Sequence, residues 1–208
     1  MTSSRRVHIV AAAGAAAVLL LLETSGHALQ ATARASREDA LRLRRKVAAI
    51  TERAAAPSAR PLSTVVTERE VNAYLAYDAG ADIPAGITSP SIVIHGARRV
   101  SGTALVDLDA VRANRKSGGL FDPLNYLTGK LPVAAAGLLD ARDGVARFEL
   151  ESASVSGVTI PKMVLQELVA YYSRSPEYPR GINIDEPFPL PARIRQIEVR
   201  RGEALVVQ

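Results

Sequence analysis

The 208-residue sequence predicts an α+β fold: a long curved antiparallel sheet of hairpins packed on one or two amphipathic helices, preceded by an N-terminal membrane-targeting helix. Three patterns carry that expectation. Residues 7–22 hold no charged side chain behind Arg5 and Arg6. Two stretches, 91–110 and 133–155, alternate apolar and polar residues around glycine-bearing turns. Pro161 opens a run of apolar residues at helical spacing.

The basic pair, the apolar stretch and the small residues Ala28, Ala31 and Ala33 are the three parts of a secretory signal. Sixteen residues reach only about 24 Å as a helix against a hydrocarbon core of roughly 30 Å, so a cleaved signal and a retained anchor both fit. Residues 1–33 are therefore assigned as signal peptide or signal anchor, residues 34–61 as a basic helical stalk or linker, and residues 62–208 as a single α+β domain. The address is the cell envelope, periplasmic or extracytoplasmic, secreted or anchored. With no cysteine, an exported domain is stabilised by burial alone.

The net charge of +5 is unevenly placed. Residues 34–60 carry eight basic against three acidic side chains, whereas residues 61–208 carry sixteen against seventeen. A nucleic-acid footprint would mark the folded part, so no nucleic-acid partner is expected. A basic segment just after an apolar one instead suits anionic lipid headgroups, at about 1 kcal/mol per Lys or Arg. Arg42, Arg44, Arg45 and Lys46 are the membrane-surface candidates. Ser36 can cap this segment as a helix, Glu38 and Asp39 suit its first turn, and Leu41, Val47 and Ile50 supply an apolar side before Pro57. A solvated stalk and direct headgroup contact are both open to it.

Thr67-x-x-Glu70 is a capping box, followed by Val71, Tyr74 and Leu75 at helical spacing and a stop at Asp78. Strands are expected over 91–95 and 100–110, joined at Gly96, and over 133–139 and 145–155, joined at Asp143-Gly144. In the second strand Ala104, Val106 and Leu108 share a face opposite Asp107 and Asp109. In the fourth, Phe148 and Leu150 oppose Glu149 and Glu151. The phase puts both carboxylate pairs on the wet face rather than around a metal. Pro161 begins a helix with Val164, Leu165, Leu168, Val169 and Tyr172 inward and Lys162, Gln166 and Glu167 outward. A hairpin over 194–207 closes the chain.

Catalytic chemistry finds no foothold. The histidines are His8, His27 and His95, and the first two fall in the signal. There is no Gly-x-Ser-x-Gly elbow, Walker loop, Gly-x-Gly-x-x-Gly turn or zinc ligand set. A sugar cleft would want aromatic walls, and the chain has no Trp and nine aromatic residues. Neither an enzyme nor a cofactor is expected.

Thr67 to Leu75, the strand Gly102 to Asp109, Val158-Thr-Ile-Pro161 and the segment Pro189 to Val207 resemble small bacterial envelope proteins related to the tubular lipid-binding and AsmA-like groups. The resemblance implies a signal or anchor before a curved sheet wrapped around a helix, and lipid handling in a bacterial envelope; it transfers no site residue. The expected function is a non-enzymatic domain binding a membrane lipid or hydrophobic small molecule at a concave apolar sheet face, near the bacterial membrane surface. Val106, Leu108, Phe148, Leu150, Val164, Leu168 and Tyr172 are the candidate lining, and ordinary core packing is the competing role for each. The alternative is an envelope structural or adaptor protein whose protein partner is unknown, engaged through a sheet edge or the basic helix.

Overall fold

In the computed structural model, residues 36–56, 60–81, 83, 86–113, 129–173 and 178–208 are described, except the side chains of Ala81, residues 111–113, Leu168, Tyr171 and Tyr172. The expected signal or anchor lies outside them. None of the described helices is long and apolar enough to cross a membrane.

The fold is α+β, with one antiparallel nine-stranded sheet. Its strands are β1 (Ser63–Thr67), β2 (Ile87–Gly96), β3 (Arg99–Asp107), β4 (Lys130–Arg142), β5 (Val145–Val155), β6 (Val158–Thr159), β7 (Phe188–Pro189), β8 (Gln196–Arg200) and β9 (Glu203–Val207). The helices are α1 (Arg37–Ala55), α2 (Glu68–Tyr77), α3 (Leu108–Ala113) and α4 (Lys162–Tyr172). Strands β2 to β5 form a meander. β4 also meets β8 where Ala141 pairs with Ile197, which joins the meander to the ribbon β1-β9-β8.

Local chemistry sets the turns. Asp143-Gly144 and Ser156-Gly157 have positive φ at both central positions, the two-residue hairpin geometry that matches strand twist. The β4–β5 pair carries a bulge between Ala136 and Gly137, and there the Phe148 ring packs over the missing side chain. A Cβ on Gly137 would overlap that ring and the Glu149 carbonyl oxygen.

Three expectations about these elements are corrected. The strand expected over 100–110 ends at Asp107, whose Oδ1 accepts from the backbone N–H groups of Asp109 (3.1 Å) and Ala110 (3.0 Å) and starts α3 at Leu108. An Asp before helix-forming residues is a cap, and it outweighed the alternation. In α4, Leu165 and Val169 pack on the core while Val164 is exposed. Gln166, expected outward, bonds the Ile182 carbonyl (3.2 Å) and the Ile184 N–H (2.8 Å). The segment 181–184 draws this face inward because its own backbone groups need partners. On α1, Ile50 is buried as expected, together with Ala40, but Leu41 and Val47 are exposed and Leu43 is buried in their place.

That last difference follows from docking, because α1, expected as a spacer, lies against α2. Burying Leu43 and Ile50 contributes roughly 1.5–3 kcal/mol each, more than partly exposed ion pairs supply; the polar seam sets direction. Asp39 accepts from Ser36 Oγ (2.6 Å) and Arg69 Nε (2.7 Å), with Arg42 Nη2 at 2.8 Å. Lys46 Nζ reaches both Glu70 oxygens at 2.7 Å and the Val65 carbonyl at 2.7 Å. Arg37 stacks on the Tyr77 ring at 5.3 Å and Arg44 pairs with Asp78 at 3.0 Å. Arg37 and Arg44 thus grip one end of α2 while Asp39 and Lys46 grip the other, so α1 crosses it.

Helix α2 covers the outer edge of β2. Asn72 both donates to the Ile92 carbonyl and accepts from its N–H, each at 2.7 Å, and Glu68 Oε2 accepts from the Ile94 N–H at 2.7 Å. The i, i+4 spacing of Glu68 and Asn72 satisfies an edge that would otherwise invite another strand.

The close approach at Gly137 makes it intolerant of a side chain. Gly137→Ala should destabilise by about 2–4 kcal/mol in urea unfolding, because the contact is backbone and ring. Gly80→Ala, where an added Cβ meets nothing within 4 Å, should stay within about 0.5 kcal/mol.

The α1–α2 seam makes the protein sensitive to acid. The Ser36 hydroxyl, working against burial and helped by Arg69 and Arg42, holds Asp39 below its ordinary 3.8. Burial alone pushes Glu70 up, and Lys46 and the Thr67 cap outweigh it, leaving Glu70 below 4.5. A lowered carboxyl stabilises above its unfolded value and loses that contribution as pH falls through the folded one. The melting temperature should therefore drop as pH goes below about 4.5, and Asp39→Asn should be less stable at pH 7 with a shallower acid decline.

Candidate functional site

The described residues among the lining candidates expected from sequence differ in burial. Phe148 and Leu150 are 4 % and 9 % exposed, packed in a filled core with Ile92, Ile94, Val100 and Ile184. Leu108 is buried on α3, Val106 is half-buried at the end of β3, and Val164 is 45 % exposed. The side chains of Leu168 and Tyr172 lie outside the described residues. Of the membrane-surface candidates, Arg42, Arg44 and Lys46 hold the ion pairs of the α1–α2 seam, and Arg45 is exposed.

The polar candidates are structural. Asp107 caps α3, Asp109 Oδ2 accepts from the Gly129 N–H at 3.0 Å, and Glu151 pairs with Arg99 at 2.8 Å. His95 Nε2 lies 2.6 Å from Ser101 Oγ, but Ser101 is only 4 % exposed, which closes its hydroxyl to a substrate. Among the described residues no group of three or more His, Asp or Glu is placed to hold a metal ion.

What the fold does assemble is a groove of about 590 Å³ where the last turn of α1, the entry to β1, the β4–β5 turn and the segment 190–195 meet. Its walls are of two kinds. Ala54, Pro61, Leu62, Leu190 and Ile194 are apolar, and Leu62 is 40 % exposed. Arg53, Arg60, Arg193 and Arg195 bring four guanidiniums against one carboxylate, Asp143.

Backbone bonds on both sides of Gly144 hold the segment in place. Its N–H donates to the Arg195 carbonyl (2.9 Å) and its carbonyl accepts from the Leu190 N–H (2.8 Å). Between them, Ala192 and Arg193 both take left-handed conformations, φ +53° and +55°, in a turn closed by the Ile194 N–H on the Pro191 carbonyl at 3.0 Å. Neither residue is glycine, so each stores of order 1–3 kcal/mol. The Gln208 side chain fastens the turn: its Nε2 donates to the Ala192 and Ile50 carbonyls, each at 2.8 Å, while its Oε1 accepts from Arg53 Nη1 at 3.4 Å. Arg53 also donates to Thr64 Oγ1 at 3.1 Å. Its partners there are neutral, so they orient the guanidinium without cancelling its charge.

Arg193 and Arg195 are close in sequence, but the turn at Ala192 and Arg193 breaks any strand period that would place them on one face. Arg53 and Arg60 reach the same place only through the docking of α1, and no spacing foretells that. No protein-family model, curated protein or solved structure matches the chain.

The strain stored at Ala192 is open to measurement. Ala192→Gly should stabilise the protein by about 1 kcal/mol, a rise of roughly 2–4 °C in melting temperature. An unchanged or lower value would show that the left-handed turn carries no strain.

Proposed function

We propose that this protein is a non-enzymatic cell-envelope domain that binds a lipid or other hydrophobic ligand, with the groove at residues 53–62 and 190–195 as its site. The single observation that carries the reading is an open cavity within the size range of small-molecule sites, walled by apolar side chains with a few convergent polar groups. The N-terminal pattern of a basic pair, an apolar stretch and small residues supports an envelope address. The likeness of 67–75, 102–109 and 189–207 to tubular lipid-binding and AsmA-like proteins is compatible with this reading, although the ligand then sits at the end of the sheet and not on a concave face.

The adaptor alternative has less to stand on. The outer edge of β2 is hydrogen-bonded by Glu68 and Asn72, and the basic helix uses Arg42, Arg44 and Lys46 within the molecule. The β2 edge at Ile92 and Ile94 and part of the basic helix are thus engaged within the molecule.

The test uses the full-length protein and a photoactivatable fatty acid carrying a diazirine. Saturable labelling is expected, mapping by peptide mass spectrometry to segments that contain Leu62, Leu190 or Ile194, with acyl lipid recovered by extraction of the purified protein. Labelling that does not saturate, or that maps to α4 and not to the groove, would overturn the assignment.

A further inference from the structure

Resting on that reading, we infer that the groove selects an anionic amphiphile: one whose phosphate or carboxylate head is gripped by Arg193 and Arg195 beside Arg53, with its chain lying on Leu62, Leu190 and Ile194.

The first argument is charge. The last turn of α1 and the segment 193–195 bring Arg53, Arg193 and Arg195 to one cavity, with Asp143 as the acidic side chain that lines it. Several other arginines do meet carboxylates: Arg42 and Arg69 meet Asp39, Arg44 meets Asp78, Arg99 meets Glu151 and Arg142 meets Asp140. Among the described residues, Arg193 and Arg195 have no such carboxylate partner. A concentration of like charge disfavours itself unless an anion relieves it.

The second argument is the kind of cation. All three are arginines, whose planar forks meet phosphate and carboxylate oxygens two at a time, whereas lysine offers a point charge. The third is preorganisation. Arg193 stands on a turn with two consecutive left-handed residues, and the same Gln208 amide that fastens this turn also orients Arg53. The apolar side chains of the same cavity then distinguish an amphiphile from a bare anion, because Leu62 is left 40 % exposed beside the guanidiniums.

The experiment is competition against the photoactivatable fatty acid on full-length protein, with dodecyl phosphate, dodecyl maltoside and inorganic phosphate as probes, both detergents below their micellar concentrations. Dodecyl phosphate should displace the label at least ten-fold more effectively than dodecyl maltoside. In the double variant Arg193→Gln/Arg195→Gln the fatty-acid label, itself a carboxylate, should weaken together with dodecyl phosphate, whose inhibition constant, corrected for the label's own affinity, should rise about ten-fold or more while that of the maltoside changes little. Both side chains are exposed, so the melting temperature of that variant should match the parent and separate lost binding from lost folding. Inorganic phosphate competing as well as dodecyl phosphate would reduce the site to an anion site and overturn the inference. Equal displacement by maltoside and phosphate, insensitive to the double variant, would also overturn it and would leave the lipid reading standing. Absence of saturable labelling at the outset defeats the lipid reading itself.

Discussion

One carboxylate, Glu70, ties three elements together. It closes the cap of α2 by accepting from the Thr67 N–H at 2.9 Å, and with both oxygens it holds Lys46 of α1, whose ammonium also reaches the Val65 carbonyl of β1. Glu70 is 4 % exposed, and a buried carboxylate left without its cation costs several kcal/mol. The position of α1 is therefore tied to that of β1. This constraint reaches the groove: with α1 fixed against α2 and β1, its last turn carries Arg53 and Ala54 to the entry of β1, where Arg53 donates to Thr64.

The groove is thus a product of convergence. Its walls come from segments far apart in the chain, and Gln208 closes them by bonding Ile50 on α1 and Ala192 on the opposite wall. Ala54 of α1 supplies part of the apolar wall, and the left-handed turn carries Arg193. Phe148 and Leu150 belong to the buried core that also holds Ile184, and Leu165 and Val169 of α4 pack against that core.

The covered edge of β2 bears on solubility as well as on function. Glu68 and Asn72 extend from α2 to satisfy Ile92 and Ile94, and the Gly202 N–H of the β8–β9 turn donates to the Ile94 carbonyl at 2.8 Å. A strand of ten residues with apolar alternation would otherwise be a template for association. Burial of Ile92 and Ile94 and pairing of their backbones involve the same helix, so the edge and the core are protected together.

Much of the secondary structure was legible in the residues. The capping box at Thr67 and Glu70, the Asp143-Gly144 turn, the Pro161 helix start and the final hairpin rest on interactions within a few residues of one another, so local chemistry determines them. Asp107 was legible too, as a cap, but alternation across it masked the signal. Other features were decided only by tertiary structure. Whether α1 is solvated or docked depends on Asp39 and Lys46 finding Arg69 and Glu70. Which face of α4 turns inward depends on the needs of Ile182 and Ile184, and the groove depends on Arg53 meeting Arg193. In each case the free energy comes from groups distant in sequence, and no local period encodes their meeting.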